Sequence, residues 1–263
     1  MFPYFILFGK QISLYFVMSM VGLFAAGILA IREYRRNKQD ENELIIISLI
    51  SAIGLFFGGH ILYGITKINT LYRLIIHFDK LKSFKEFIDV FKYIFGGQVF
   101  YGGLIGLLIT GYIYTKKKHI DSKLYFDILA FSIPLFHCFA RIGCFLSGCC
   151  YGVESKIGFT YTHAYIESAN HINRFPIQLI EASYNLLLFF LLYYLYRKNK
   201  MRHKLLGLYL LLYPIGRFIF EFFRGDEYRG FLFGLSTSQI ISIILFIFSL
   251  YLIFVKKAEE KKV

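Results

Sequence analysis

The chain has few prolines and few acidic residues for its length. Only 4 of its 263 residues are Pro, and Asp and Glu together number 17 against 30 Lys and Arg. Apolar residues make up 57% of the chain, aromatic residues make up 20%, and the mean hydropathy is positive. This composition excludes an ordinary soluble domain and indicates a helical membrane protein that crosses the bilayer several times.

The excess of basic charge does not indicate a nucleic-acid partner. A net charge of +13 would suggest one in a soluble protein, but here the basic residues cluster in short breaks between apolar runs. That clustering is the topological pattern of membrane proteins, so we expect no nucleic-acid binding. The N-terminus lacks a basic region and a small-residue cleavage site, so we also expect no cleaved signal peptide.

Apolar segments of membrane-spanning length recur along the whole chain. Each is close to the roughly 20 residues that cross about 30 Å of hydrocarbon. Seven are predicted, over residues 12–31, 44–65, 98–115, 124–146, 176–196, 205–223 and 236–255. The sequence therefore predicts an all-α polytopic membrane protein with seven transmembrane helices, built as a single integral membrane domain over residues 1–263.

The breaks between these segments alternate in charge. The breaks rich in Lys and Arg are residues 32–43, 116–123, 197–204 and 256–263. The positive-inside rule assigns them to the cytoplasm, with the N-terminus outside and the C-terminus inside. The longer loops at 66–97, 147–175 and 224–235 then face outward.

The first outer loop, residues 66–97, carries an amphipathic pattern. Its apolar side chains recur at helical spacing: Leu81, Phe84, Phe87, Ile88, Phe91, Ile94 and Phe95. Its charged side chains fill the opposite face: Lys80, Lys82, Lys85, Glu86, Asp89 and Lys92. The pattern predicts an outer arm that lies in the membrane interface, or else a helix that packs on the spans of its own protein.

The most unusual segment is PLFHCFARIGCFLSGCCYG, residues 134–152, at the end of the fourth apolar run. An arginine near a helix centre in the bilayer costs roughly 2.5–3.5 kcal/mol, so some group must satisfy Arg141. An anionic lipid phosphate is a natural candidate. His137 lies one helical turn earlier on the same face, which makes it a second candidate functional residue.

The sixth apolar segment places four polar side chains on one helix face. Tyr213, Arg217, Glu221 and Arg224 follow at spacings of four, four and three. One interpretation is an ion pair of Arg217 with Glu221, hidden inside the bundle. The other is an anion site, in which Arg217 lies beside Arg141, guanidinium groups match phosphate bidentately, and Glu221 orients Arg217.

The third segment begins with five glycines within residues 96–106, which favours close helix packing or a re-entrant backbone. Tyr101 lies among them, with a hydroxyl that needs a partner when buried. His60, in the second segment, follows a pair of glycines. A single histidine in such a run is more often a hydrogen-bonded bundle residue than a catalyst.

Four cysteines, Cys138, Cys144, Cys149 and Cys150, allow several interpretations. Such residues are most often small apolar side chains in a helix bundle. A disulfide from Cys149 or Cys150 to Cys144 and a nucleophilic thiol are alternatives. A metal site with His137 is a further one, but the spacing matches no zinc pattern, so we predict no metal and no cofactor. The sequence contains no Ser-His-Asp or GxSxG arrangement.

Several motifs together resemble the prolipoprotein diacylglyceryl transferase family. RIG at 141–143 with Gly148 and YG at 151–152 is similar to the family signature G-R-I-G-N-F-x-N-G-E-x-x-G. FYGGLIG at 100–106 resembles F-H-G-G-L-I-G, and FPIQLIEA at 175–182 resembles P-S-Q-L-Y-E-A. RFIFEFFR at 217–224 matches R-F-x-x-E-F-F-R, and Tyr15 is similar to the tyrosine of I-R-W-Y-G.

The resemblance implies an activity. Such enzymes move the diacylglyceryl group of phosphatidylglycerol onto the lipobox cysteine thiol of a prolipoprotein signal peptide, and glycerol phosphate leaves. It implies a multi-pass protein of the bacterial cytoplasmic membrane, in contact with membrane lipid. Arg141 and Arg217 would stabilise the leaving phosphate, Glu221 would hold Arg217, and Tyr15 and Gln178 would position the headgroup.

The same resemblance implies further site residues. Further catalytic candidates are Tyr101, at the position of the motif histidine, and His137 and His60, either of which would serve as the base in its place. The glycines expected to line the substrate pocket are Gly102, Gly103 and Gly152.

The chain departs from the family pattern at five positions. Tyr101 replaces the motif histidine, Cys144 an asparagine, Cys149 an acidic residue, Ala140 a glycine and His60 an arginine. Tyr101 cannot act as a base near neutrality, because its ordinary pKa is about 10. Either the histidine is not a required base, or His60 or His137 replaces it, or the chemistry differs. The alternatives are a related transferase with another acceptor and a non-enzymatic lipid-binding protein.

Overall fold

The computed structural model describes residues 3–76, 83–226, 231–232 and 234–251. Over these residues the chain forms nine α-helices and three antiparallel strand pairs. The helices are α1 Leu14–Arg36, α2 Glu41–Thr66, α3 Ile68–Ile76, α4 Phe84–Phe95, α5 Phe100–Lys117, α6 Ser122–Ser147, α7 Ile177–Arg197, α8 Leu205–Phe220 and α9 Thr237–Leu250. The strands are β1 Tyr4–Leu7, β2 Lys10–Ser13, β3 Glu154–Thr160, β4 Asn173–Arg174, β5 Phe231–Leu232 and β6 Leu235–Ser236. The small sheets β1–β2, β3–β4 and β5–β6 were not predicted from the sequence.

A polytopic helical membrane protein is confirmed. In the described residues, five helices are long and apolar enough to cross a bilayer: α1, α2, α6, α7 and α8 with the 3-10 turn that extends it to Phe223. Helices α4 and α5 meet at a bend of 88°, and the number is six if this pair is one broken span. Helix α9 has only 14 residues, and the end of the last predicted segment, residues 252–255, lies outside the described residues. Seven spans and the orientation of the termini remain predictions.

The chain divides into two compact units. The main unit comprises Met1–Lys38 and Lys123–Val263, and the α2–α5 unit comprises Gln39–Ser122. That the whole chain forms one membrane domain stays a prediction.

Glycines bring α2 and α5 into close contact within the α2–α5 unit. A Cβ atom on Gly106 would overlap the carbonyl oxygen of Gly54, and one on Gly58 would overlap that of Gly102. Gly103 packs beside Leu55, whose carbonyl oxygen would lie 3.2 Å from an added Cβ. Small residues let helix backbones approach in this way inside a membrane. These glycines thus provide close helix packing, and the 88° bend between α4 and α5 is that of a broken span or a re-entrant loop.

The predicted outer arm, residues 66–97, contains α3 and α4. Leu81, Lys80 and Lys82 of the predicted faces lie outside the described residues. Helix α4 begins after Ser83, whose hydroxyl accepts a hydrogen bond from the Glu86 backbone N–H. Neighbouring phenyl rings follow one face of the helix, with ring centroids 4.9 to 6.2 Å apart, at Phe84, Phe87, Phe91 and Phe95. The amphipathic helix is confirmed over residues 84–95, and its place in the membrane interface remains a prediction.

Helix α6 is the central helix of the main unit and is buried along most of its length. Helix α1 approaches it closely, because a Cβ on Gly22 would lie 2.8 Å from the Cβ of Phe139. A buried carboxylate links α1 to the C-terminal end of α7. Glu33 accepts a hydrogen bond from the Tyr193 hydroxyl and pairs with Arg197 at 3.1 Å.

Candidate functional site

Arg141 and Glu181 form a buried ion pair between α6 and α7. The Nε of Arg141 lies 2.7 Å from Oε2 of Glu181. Arg141 is 8% exposed and Glu181 is 2% exposed. A buried charge is tolerated only when it is paired, so each side chain requires the other. The group that satisfies Arg141 inside this protein is thus a carboxylate that the sequence reasoning did not assign.

Arg217 on α8 joins the same carboxylate. Its Nη1 lies 3.1 Å from Oε1 of Glu181, and its Nη2 lies 2.6 Å from Oε2 of Glu221. Nη2 also donates to the Ser238 hydroxyl at 3.2 Å. The intrahelical pair of Arg217 and Glu221 therefore exists, and so does the arrangement in which Arg217 lies beside Arg141. Glu181 links the two guanidinium groups, and Glu221 fixes the orientation of the second.

A third arginine, Arg224, lies near the same carboxylate. Arg224 makes two hydrogen bonds to Asp226, both at 2.7 Å, and its Nη1 lies 4.0 Å from Oε1 of Glu181. The arginine network is defined here as Arg141, Arg217 and Arg224 with Glu181, Glu221 and Asp226. Three guanidinium groups face three carboxylates, so the network is close to neutral before any ligand binds.

Helix α6 ends in a Schellman motif that folds the chain back over its last turn. Gly148 has a φ of +69°, its N–H donates to the Phe145 carbonyl, and the Cys149 N–H donates to the Cys144 carbonyl at 3.1 Å. In this motif the side chains at the positions of Cys144 and Cys149 normally touch. The Sγ atoms of Cys144, Cys149 and Cys150 accordingly lie within 4.8 Å of one another. All four cysteines are free thiols, so the structure contains no disulfide to Cys144.

Gln178 anchors the cysteine loop to α7. Its amide donates to the Cys149 carbonyl at 2.9 Å and to the Tyr161 hydroxyl at 3.3 Å. Burial raises the pKa of Tyr161 to about 12, so its hydroxyl stays neutral and can accept this bond. Gln178 is 1% exposed. In this structure it holds the loop in place from within the protein.

Gly152 lies where three segments cross. Its backbone bridges to Arg224, the neighbouring Val153 N–H donates to the Phe223 carbonyl, and a Cβ on Gly152 would overlap the Phe175 carbonyl oxygen. Glycine is required here because no side chain fits. Its predicted contact with substrate stays a prediction.

Tyr15 and His137 also lie in the main unit. Gly143 packs against the start of α1, where an added Cβ would lie 3.1 Å from the Cα of Tyr15. Tyr15 is 43% exposed, whereas His137 is 6% exposed. The ring centroid of His137 lies 5.5 Å from that of Tyr213. The main unit thus collects the arginines, the cysteines, Tyr15, Gln178 and His137.

The remaining candidates, His60, Tyr101, Gly102 and Gly103, belong to the α2–α5 unit. His60 Nδ1 lies 2.6 Å from the Phe95 carbonyl oxygen, and Nε2 lies 3.1 Å from the Gln98 amide nitrogen. A carbonyl only accepts, so Nδ1–H donates and Nε2 accepts, which one neutral tautomer satisfies. His60 has the contacts of a hydrogen-bonded bundle residue. Tyr101 is 2% exposed and lies on α5.

Sequence reasoning missed Glu181 and Tyr161. Glu181 stands in the motif at 175–182 but received no role. The signal that finds it is an acidic side chain inside the apolar run of α7, which needs a buried cationic partner. Tyr161 lies in a loop without any pattern, and only the fold shows that it meets Gln178.

The fold and the arginine network define a class: a polytopic helical membrane protein with a buried network of guanidinium and carboxylate groups. The model of the prolipoprotein diacylglyceryl transferase family matches residues 3–255. The chain belongs to this family.

Curated relatives agree with this assignment. The chain is 34% identical to the phosphatidylglycerol–prolipoprotein diacylglyceryl transferase of Clostridium tetani, with 93% of each chain covered. It is 31% identical to the second such protein of Clostridium perfringens, over 97% of this chain and 95% of the relative. It is 32% identical to the protein of the same name from Campylobacter jejuni, over 94% and 90%. The resemblance found in the motifs is thereby confirmed, and the chain is a diacylglyceryl transferase.

Proposed function

We propose that this protein transfers the diacylglyceryl group of phosphatidylglycerol to the lipobox cysteine thiol of a prolipoprotein signal peptide, at the arginine network. The observation that carries the assignment to this site is the sharing of Glu181 by Arg141 and Arg217. Two guanidinium groups from different helices are held at fixed positions in a buried place. Such fixed donors stabilise charge that develops in a transition state without reorganisation.

The geometry of Arg141 suits a phosphate. Within the described residues its ion pair uses Nε, which leaves its two terminal nitrogens as donors for a ligand. A phosphate oxygen pair matches such a fork, and charge-assisted bonds of this type are the strong ones. Negative charge grows on the phosphate as the carbon–oxygen bond breaks, so these donors stabilise the transition state more than the bound lipid.

The supporting side chains have separate roles in this proposal. Glu221 orients Arg217 through the 2.6 Å contact. Gln178 sets the position of the cysteine loop, and Tyr15 lies at the start of α1 beside Gly143, where a headgroup could meet its hydroxyl. His137 lies one turn from Arg141 and contributes to the polar lining of the site.

The topology proposed from the sequence accompanies this function. We infer seven spans, an outward N-terminus and a cytoplasmic C-terminus in the bacterial cytoplasmic membrane. Basic breaks at 32–43, 116–123 and 197–204 support this orientation. We further infer that helix α4, which is bent by 88° from α5, lies in the outer interface.

The test is a defined transfer reaction. Purified protein is incubated with phosphatidylglycerol vesicles and a lipobox peptide, and the peptide is weighed by mass spectrometry. The expected product is the peptide plus one diacylglyceryl group, with none on a matched peptide whose lipobox cysteine is serine. Consumption of the lipid without peptide modification would indicate another acceptor. Lipid that copurifies unchanged, with no turnover, would indicate a lipid-binding protein.

A further inference from the structure

Three thiols meet at the end of α6, beside the arginine network. Cys144 is buried and Cys149 and Cys150 are half-buried, and all three Sγ atoms lie within 4.8 Å of one another. In a tetrahedral zinc–thiolate site the Zn–S bonds are about 2.3 Å, which puts the sulfurs about 3.8 Å apart. The three thiols therefore need only a small contraction to share one metal ion.

The backbone explains why the thiols converge. The Schellman motif around Gly148 returns Cys149 to the last turn of α6, next to Cys144. Cys150 follows with a φ of +56°, a left-handed conformation that is unusual for a residue with a side chain. Gln178 then holds the carbonyl of Cys149 at 2.9 Å. The hydrogen bonds of the Schellman motif and of Gln178 thus hold the loop in the conformation that brings the sulfurs together.

The composition of the group identifies the metal class. Soft thiolate ligands select zinc and other thiophilic ions over magnesium or calcium. Three thiolates and a divalent ion carry a net charge of −1, and the positively charged Arg141 precedes Cys144 by about one helical turn on α6. Among the described residues no histidine or carboxylate completes the group as a fourth ligand. Three protein ligands are the number found in catalytic zinc sites, where the fourth position takes water or substrate.

We propose that Cys144, Cys149 and Cys150 bind a zinc ion whose fourth ligand is the acceptor thiol. This inference rests on the proposed function, because it assigns the step that activates the lipobox cysteine. A thiol that coordinates zinc is deprotonated, so no basic side chain is needed for it. Glu181 and Glu221 are already engaged in ion pairs with Arg141 and Arg217, so neither carboxylate is assigned to that task.

The step balances without any further reactant. The acceptor thiol loses its proton to water when it coordinates the metal. Its sulfur then attacks the carbon of the diacylglyceryl group that is bonded to the phosphate oxygen, a carbon–sulfur bond forms, and the bond from that carbon to the phosphate oxygen breaks. The electron pair of that bond goes to the phosphate oxygen, which leaves as glycerol phosphate beside Arg141 and Arg217. No oxidation or reduction takes place.

Metal binding is tested first, without any reaction. The protein is purified under a reductant, stripped with a chelator and titrated with Co²⁺, and the thiolate-to-cobalt charge-transfer band is recorded. We expect one Co²⁺ per chain, displaced by Zn²⁺. Cys149→Ser and Cys150→Ser should weaken binding by more than about tenfold, since even outer-shell changes cost 10–100-fold. Cys138→Ser is the matched control, because Cys138 lies on α6 outside the group and should leave the band unchanged.

Thiol activation is tested with the transfer assay on the same samples. Stripped protein should lose the transfer of diacylglyceryl to the lipobox peptide, and Zn²⁺ should restore it. Addition of the peptide should change the Co²⁺ spectrum, whereas the serine peptide should not. Melting temperatures of all variants identify any that fail to fold.

The outcomes separate this inference from the proposed function. Full transfer by stripped protein, or by a folded Cys149→Ser variant, would overturn the zinc proposal and leave the transferase intact. Absence of the cobalt band in reduced wild-type protein would also overturn it. A cobalt band without transfer to the peptide under any condition would contradict the proposed function. It would also contradict the role of the metal in activating the acceptor thiol.

Discussion

Oε2 of Glu181 lies 2.7 Å from Nε of Arg141, and the other oxygen of the same carboxylate lies 3.1 Å from Nη1 of Arg217. One side chain on α7 therefore fixes guanidinium groups on α6 and α8. Both arginines belong to motifs that the sequence singles out, but neither motif shows that they share a partner. The arrangement makes Glu181 the residue on which the geometry of the site depends.

Glu181→Gln should abolish most of the activity. The amide keeps the shape but removes the charge, so two buried guanidinium groups lose their shared partner. Breaking a buried ion pair typically costs about 3–5 kcal/mol. We expect the rate of transfer to the lipobox peptide, measured by mass spectrometry, to fall by about a hundredfold or more.

The matched control for that variant is Glu33→Gln. Glu33 is 1% exposed and is also paired with an arginine, Arg197. This pair lies near the C-terminal ends of α1 and α7 and is not part of the arginine network. Glu33→Gln should lower the melting temperature while the surviving folded protein keeps its rate. Equal loss of rate in both variants would show that Glu181 acts through stability alone.

Glu221→Gln should act through Arg217. The 2.6 Å contact from Glu221 holds one edge of that guanidinium, while Glu181 and Ser238 hold the rest. Because part of the restraint survives, we expect a smaller loss of rate, roughly tenfold, than for Glu181→Gln. Steady-state kinetics should show the loss in kcat. An unchanged kcat in folded protein would count against the orienting role.

Gln178→Leu should loosen the cysteine loop. It removes the hydrogen bond to the Cys149 carbonyl and leaves that group and the Tyr161 hydroxyl without their donor. A buried group left without a partner costs about 1–3 kcal/mol. We expect a lower melting temperature in detergent and faster reaction of Cys149 with a thiol reagent. Unchanged thiol reactivity would contradict this account of Gln178.

Gly106→Val should disrupt the contact of α2 with α5, since even a Cβ at this position would overlap the Gly54 carbonyl oxygen. We expect loss of folded protein or a large drop in melting temperature. Gly27→Ala is the control, because no atom lies within 4 Å of an added Cβ there. Alanine favours the helix over glycine by about 1 kcal/mol, so this variant should be unchanged or slightly more stable. Similar melting temperatures for the two variants would contradict the packing.

The helical membrane fold follows from hydropathy and length, because every backbone polar group in a bilayer must be bonded within helices. The arginines could be found for the same reason, since a charge in an apolar run needs a partner. The partner of Arg141 could not be predicted, because Glu181 and Arg141 are 40 residues apart in the sequence and only the packing of the helices brings them together. The three-cysteine group could be anticipated in part: glycine at 148 marks a helix C-terminus, and the motif places Cys149 on Cys144. The usual zinc motifs are defined by fixed spacings along the sequence, such as CxxC, and therefore do not describe cysteines that a helix C-terminal turn brings together.

The transfer assay on single arginine variants tests the central claim most directly. Arg141→Ala and Arg217→Ala are compared with Arg197→Ala, an arginine that also pairs with a buried glutamate but lies outside the network. We expect the diacylglyceryl-modified peptide with wild-type protein and with Arg197→Ala, and none above background with Arg141→Ala or Arg217→Ala. Full activity in folded Arg141→Ala and Arg217→Ala protein would show that the reaction does not use the arginine network.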